Sequence, residues 1–136
     1  MSTIQLSPYI NFQGRAREAM EFYHQLLGGT LDLIAVNAQG VAGPAVPGDR
    51  ITHGRLVADG TVIIAGDGHP SYLATVGDNL ALALSGTDRD LITRIFDALA
   101  DGGTLKMPLT VQSGGAAVGW LTDRFGINWM VQVEPA

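Results

Sequence analysis

The sequence predicts an α+β domain in which one βαβββ unit is written twice, with helices on the outside of a curved mixed sheet. Gly-Gly-Thr-Leu occurs at Gly28–Leu31 and again at Gly102–Leu105, each time after an amphipathic stretch. Phe22 and Phe96 precede the two copies by the same six residues, so both features share an offset of 74. HGRLVADG from His53 is echoed by VGWLTDRFG from Val118, with Gly54/Gly119 and Leu56/Leu121 in register at an offset of 65. The smaller offset places a longer loop between helix and hairpin in the first copy.

The elements follow in order. YINF (Tyr9–Phe12) is a β-prone run. Gly14 opens the helix RAREAMEFYHQLL, with Ala16, Ala19, Met20, Tyr23, Leu26 and Leu27 on one face and Arg15, Arg17, Glu18, Glu21 and Gln25 on the wet side. Gly28 stops it in the left-handed region. TLDLIAV reads as a strand, QGVAGPAVPGDR as a loop, and ITHGRLVADGTVIIAG as a hairpin turning at Asp59-Gly60. DGHPSYLATVGD is a linker. The second module starts with the strand NLALALSG and a helix near Thr87, where Thr87-x-x-Asp90 resembles a capping box. Leu91, Ile92, Ile95, Phe96 and Leu99 form that helix's buried face, and Gly102 ends it. TLKMPL, the loop TVQSGGAA and the hairpin AVGWLTDRFGINWMVQV complete the chain. Module 1 thus covers about residues 7–67, the linker 68–77 and module 2 78–134, within a single domain over 1–136.

Composition narrows the classes of function. The chain has 136 residues, 46% hydrophobic and 15% charged, which suits a folded core rather than a disordered segment. Cysteine is absent, excluding disulfides, thiolate metal sites and a cysteine nucleophile. The N-terminus MSTIQLSPY lacks signal-peptide features and no apolar run is long enough to span a bilayer, so a soluble, cytoplasmic protein is expected. A net charge of −5 with Lys106 as the single lysine gives no basic stripe, so neither nucleic acid nor a membrane is an expected partner.

YINFQGRAREAMEFYHQLLGG, the H-G-R-L…G-D hairpin and FDALADGGTLKMPL…DRFGINWMV together resemble the PhnB-like branch of the vicinal-oxygen-chelate superfamily. That superfamily includes glyoxalase I, bleomycin-resistance proteins, fosfomycin-resistance transferases and extradiol dioxygenases. The resemblance runs from about Pro8 to Val133. It implies an eight-stranded cup with helices on the convex side and, because small two-module members commonly pair, a homodimer. The resemblance implies that metal-dependent members hold a divalent cation with four side chains, two from the first strands and two from the last strands of the two modules.

Strand parity selects the residues that face into such a cup. Ser7, Tyr9 and Asn11 come from the first strand; His53, Arg55 and Val57 from the hairpin; Val62, Ile64 and Gly66 from its return. The second module supplies Asn79, Ala81 and Ala83, then Val118, Trp120 and Thr122, then Asn128, Met130 and Gln132. The family's metal positions fall near Ser7, Ile64 or Gly66, Asn79 and Gln132. Of these only Gln132 is an ordinary ligand type, and no carboxylate is expected inside. Neutral amides and aliphatic side chains do not offset a cation's dehydration, so no metal and no other cofactor is expected.

The expected ligand contacts are Tyr9, Asn11, His53, Arg55, Trp120, Met130 and Gln132. Trp120 and Tyr9 would stack, while Arg55, His53 and Gln132 would supply polar contacts to a small aromatic or anionic molecule. Packing alone also accounts for Trp120, Tyr9 and Met130, and Arg55 could pair across the hairpin or reach the rim. His24 and His69 read as solvated. Asp67 and Asp78 lie near strand ends, with no visible partner to make either a general base. The glycine pairs precede no helix and so are not phosphate cradles. Two other readings stay open: a metal-dependent lyase, isomerase or transferase of the same superfamily, and an interaction protein with a vestigial cavity.

Overall fold

The computed structural model describes residues 4–69, 71 and 73–135. Met1–Thr3, Ala136, and Pro70 and Tyr72 of the expected linker lie outside the described residues. The chain divides into two compact units, one up to Thr75 and one from Val76 onward. Each holds one helix against one sheet, the α+β module expected from the repeat.

In unit 1 the elements are β1 (Tyr9–Asn11), α1 (Ala16–Leu27), β2 (Thr30–Val36), β3 (Ala42–Pro44), β4 (His53–Ala58) and β5 (Thr61–Gly66). Their sheet order is β1-β5-β4-β2-β3, with β1 parallel to β5 and the remaining pairs antiparallel. β3 lies inside the stretch read from sequence as a loop. Its Ala42, Gly43 and Pro44 pair with the end of β2 at the sheet's edge, where proline costs no ladder bond to a further strand.

Unit 2 contains β6 (Leu82–Gly86), α2 (Arg89–Ala100), β7 (Thr104–Val111), β8 (Ala117–Thr122) and β9 (Asn128–Val133), ordered β6-β9-β8-β7. β6 starts later than the sequence suggested, so Asn79 and Ala81 precede the strand and Leu80 is exposed rather than in the core. β7 continues two residues past the expected TLKMPL, through Thr110 and Val111. Its register against β8 slips between Leu105 and Met107 and again between Met107 and Thr110. Pro108 sits in the second irregular stretch of this edge strand, where a missing N–H is tolerated.

Both helices bury one stripe at i, i+3, i+4 and i+7. In α1 it is Ala16, Ala19, Met20 and Tyr23; in α2 it is Ile92, Ile95, Phe96 and Leu99. The two stripes are 76 positions apart, against 74 for the glycine pairs. The structural counterpart of Phe96 is therefore Met20 rather than Phe22, which is only half-buried. Leu91, expected in the α2 stripe, is exposed, and Leu26 and Leu27 are partly so. Arg17 is only partly wet, since its Nε and Nη2 are buried and unpartnered while Nη1 lies 3.3 Å from Glu21.

The helix starts are held differently. In α2 the cap is Asp88, whose Oδ1 accepts from Leu91 N at 3.1 Å, so the expected Thr87 capping box is displaced by one residue. α1 has no side-chain cap of its own. Asp67, beyond β5, accepts from Gly14 N (2.9 Å) and Ala16 N (2.8 Å) with Oδ1 and from Ile51 N (2.8 Å) with Oδ2. A carboxylate at a helix N-terminus also meets the positive end of the helix dipole.

The repeated Gly-Gly has two jobs. Gly28 (φ +73°) and Gly102 (φ +80°) take the left-handed turn after each helix. A Cβ on the second glycine would lie 2.1 Å from a strand carbonyl, that of Val57 for Gly29 and that of Thr122 for Gly103. These are matching strand positions, so the second glycine lets the helix exit lie against the hairpin.

Candidate functional site

Each helix covers one face of its own sheet, and the alternation of burial identifies the other. On unit 1, Leu56, Ile63 and Ala65 are buried beneath α1, so their neighbours in sequence occupy the open face. Register then lays out rows across the strands. One row reads Tyr9, Ile64, Arg55 and Asp32, and a parallel one includes Asn11, Gly66, His53 and Ile34. Tyr9, Asn11, His53 and Arg55 thus share one open face, as strand parity predicted.

Asp32 corrects the expectation that no acid would lie there. It is exposed and is the register partner of Arg55. The apolar run around it in β2 gave no cue to its side, which follows only from pairing with β4. Arg55 has no ion pair or hydrogen bond among the described residues, Asp32 included. Arg55 thus makes no ion-pair contact across the hairpin among the described residues, although the Asp32 carboxylate is its register neighbour on β2.

Tyr9 is 57% exposed, yet its phenol oxygen lies over Gly66, where a Cβ would approach it to 2.6 Å. Asn11 turns toward Gly68 and accepts from Gln13 N at 2.9 Å, in a tight turn where Gln13 has φ +51°. Asn11 is therefore partly engaged in holding the chain between β1 and α1. Arg50, not anticipated from sequence, donates to the carbonyls of Asp67 (3.0 Å) and Gly68 (3.1 Å from Nε) and fixes the strand end beyond Gly66.

Unit 2 has the same construction. Trp129, Val131 and Val133 of β9 and Gly119 and Leu121 of β8 are buried on the helix side. A Cβ at Gly119 would lie 2.6 Å from the Phe96 ring, so the glycine of the hairpin echo makes room for the helix. On the open face, Trp120 pairs with Met130 on one side and Met107 on the other. Trp120 is 42% exposed and both methionines are half-buried. Sulfur beside an indole is a favourable contact for either packing or recognition. Gln132 and Val118 form the next row, and Thr122 Oγ1 donates to Asn128 Oδ1 at 2.7 Å beyond it. Simple parity would put Met107 on the same face as Leu105; the bulge between them turns it beside Trp120 instead.

Other polar residues are structural. Asp67 is buried among three backbone N–H groups, which rules it out as the exposed acid at a strand end. Asp123 does a different job in unit 2: it lies in the turn between β8 and β9 and accepts from Phe125 N (2.9 Å), Ile127 N (3.0 Å) and Trp129 Nε1 (2.9 Å). His24 is half-buried, with Nε2 3.0 Å from Gly29 O, so it secures the end of α1 rather than standing free in water. The 112–116 stretch is a hairpin turn closed by Gln112 N to Ala116 O at 2.7 Å.

The residues at the superfamily's metal positions do not fit a divalent cation. Unit 1 offers the Ser7 hydroxyl, aliphatic Ile64 and Gly66, whose open side Tyr9 occupies. Unit 2 offers the amides Asn79 and Gln132. Among the described residues no group of three or more His, Cys, Asp or Glu side chains could hold a metal ion. A set without carboxylate or imidazole does not compensate a hard cation's lost water.

Paired units of this topology are the architecture of the vicinal-oxygen-chelate class. Proteins described as glyoxalase/bleomycin resistance and glyoxalase-related share the fold at 18% and 16% identity. The chain belongs to the PhnB-like family within that class: the family profile described as 3-demethylubiquinone-9 3-methyltransferase matches residues 4–132. A crystal structure of protein PA1353 from Pseudomonas aeruginosa is 38% identical, covering 98% of this chain and 100% of that one, with a TM-score of 0.84. Protein YjdN of Escherichia coli K12 is 30% identical over 94% of each chain. A Bacillus cereus PhnB protein described as a putative 3-demethylubiquinone-9 3-methyltransferase shares the fold at 23% identity, covering 96% and 100% of the chains, with a TM-score of 0.77.

Proposed function

We propose that this protein binds a small aromatic or anionic molecule without a metal, in the manner of the sequestering branch of its superfamily. The observation that carries the reading is Trp120, an indole left 42% exposed between two methionines on a face with no charged residue at its paired positions. Exposed indoles on neutral surfaces favour planar apolar partners. Gln132, in the neighbouring row, supplies a polar contact there. On unit 1 the support is Arg55, a cation without an ion pair among the described residues, with His53 two residues before it and Tyr9 in its row. A guanidinium in this state favours an anionic group.

Fluorescence titration against a library of aromatic acids and neutral aromatics tests the reading. Trp120 reports binding, and buried Trp129 remains as an internal reference in Trp120→Ala. Saturable quenching in the wild type that disappears in Trp120→Ala is expected; no response across the library refutes it. The protein further reads as a cytoplasmic homodimer. No helix among the described residues is long and apolar enough to cross a membrane, and exposed Leu105 and Val111 on edge strand β7 favour self-association. Light scattering at micromolar concentration distinguishes a dimer from a monomer. The net charge of −5 disfavours nucleic acid as a partner.

A further inference from the structure

Unit 1 contains a cleft of about 360 Å³ that none of the seven expected contact residues lines. Val57 and Val62, paired across β4 and β5 on the open face, line it together with Gly60 and Thr61 of the hairpin turn. Leu6 and Ser7, from the segment leading into β1, border it as well. No lining residue carries a charge. An ionised group placed inside would lose water with nothing to compensate it, so the cleft suits an uncharged body. The neutral polar side chains in the wall are those of Gln5, Ser7 and Thr61, and Ser7 Oγ is buried without a hydrogen-bond partner among the described residues.

A charge is available just outside. Arg55 precedes Val57 by two residues on the same face of β4, about 7 Å along the strand. Its register partner on β5 is Ile64, which follows Val62 on that face. An apolar floor of Val57, Val62 and Ile64 therefore runs from the cleft to a guanidinium that has no ion pair among the described residues.

We propose that the cleft and Arg55 form one site for a small amphipathic acid, with its uncharged chain along Val57 and Val62 and its carboxylate on Arg55. This rests on the small-molecule reading and names the ligand class for unit 1. The volume is within the range of ligand pockets, roughly 300–1,000 Å³. An extended eight-carbon chain reaches about as far as three strand residues, ~10 Å, which spans from the Ala58–Thr61 pair beside the turn to Arg55.

The test is a ¹H–¹⁵N titration of the full chain with sodium octanoate, using octylammonium chloride as the charge-reversed control. Saturable shifts at the Val57, Gly60, Thr61 and Val62 amides are expected with octanoate and not with octylammonium. Arg55→Gln should weaken octanoate tenfold or more, and Val57→Phe should do so by filling the cleft. Leu6→Ser, at a residue 98% exposed and so harmless to the fold, should weaken it about threefold. Absence of saturable shifts, equal binding of octylammonium, or unchanged affinity in both Arg55→Gln and Leu6→Ser overturns the proposal. If octanoate fails while aromatics still quench Trp120, only this inference falls; if both responses fail, the small-molecule reading falls with it.

Discussion

On unit 1 the face turned away from α1 carries His53, Arg55 and Asp32; on unit 2 the matching strands present Val118 and Trp120, with Met107 and Met130 beside the indole. The scaffold beneath is shared. Each helix buries an i, i+3, i+4, i+7 stripe, and each second glycine lies against a strand carbonyl at matching hairpin positions. Duplication kept the residues whose backbone or burial admits few alternatives, while residues facing away from the helix diverged from an ionisable set to a neutral aromatic one. Packing constrains one face of each sheet, so the other can change its chemistry without loss of fold.

The largest effects should come from the buried aspartate that each unit places differently. Asp67→Ala and Asp123→Ala each leave three donors without their acceptor, at roughly 3–5 kcal/mol, read as a lower denaturant midpoint. A loss under about 1 kcal/mol at Asp67 would contradict its role in holding the start of α1, and at Asp123 its role in holding the β8–β9 turn. The paired glycines of the hairpin echo should respond unequally. Gly119→Ala forces a Cβ to within 2.6 Å of the Phe96 ring and should cost about 1–3 kcal/mol. Gly54→Ala meets the flexible end of Leu33 at 3.1 Å and should cost less than about 1 kcal/mol. On the open faces the stability effects shrink further. Trp120→Phe and Arg55→Gln should each change stability by less than about 1 kcal/mol, since neither side chain is buried. The first should abolish the neutral aromatic response and the second the response to acids, so a large stability loss in either would assign that residue to packing instead.

The duplication, both helices and most strands were legible because their signals are local: the glycine pair, the 3.6-residue stripe, and the Asp59-Gly60 turn. Parity placed Tyr9, Arg55 and Trp120 on open faces because their neighbours in sequence are plainly apolar or glycine. What was missed depends on partners distant along the chain. Asp67 reads as a loop acid until α1 and Ile51 surround it, and Asp32 gains a side only from β4. β3 escaped because its glycine and proline say loop while its pairing with β2 says strand. The Phe22–Phe96 match was too literal: two fewer residues separate the last buried residue from the glycine pair in α2, so Phe96 is matched by Met20.

The division of labour between the faces is tested most directly by following the backbone amides while a neutral planar aromatic, 2-naphthol, is titrated into the full chain. The account predicts saturable shifts at Val118, Trp120 and Met130, with His53 and Arg55 unmoved. Shifts centred on His53 and Arg55, with the Trp120 row silent, would contradict it.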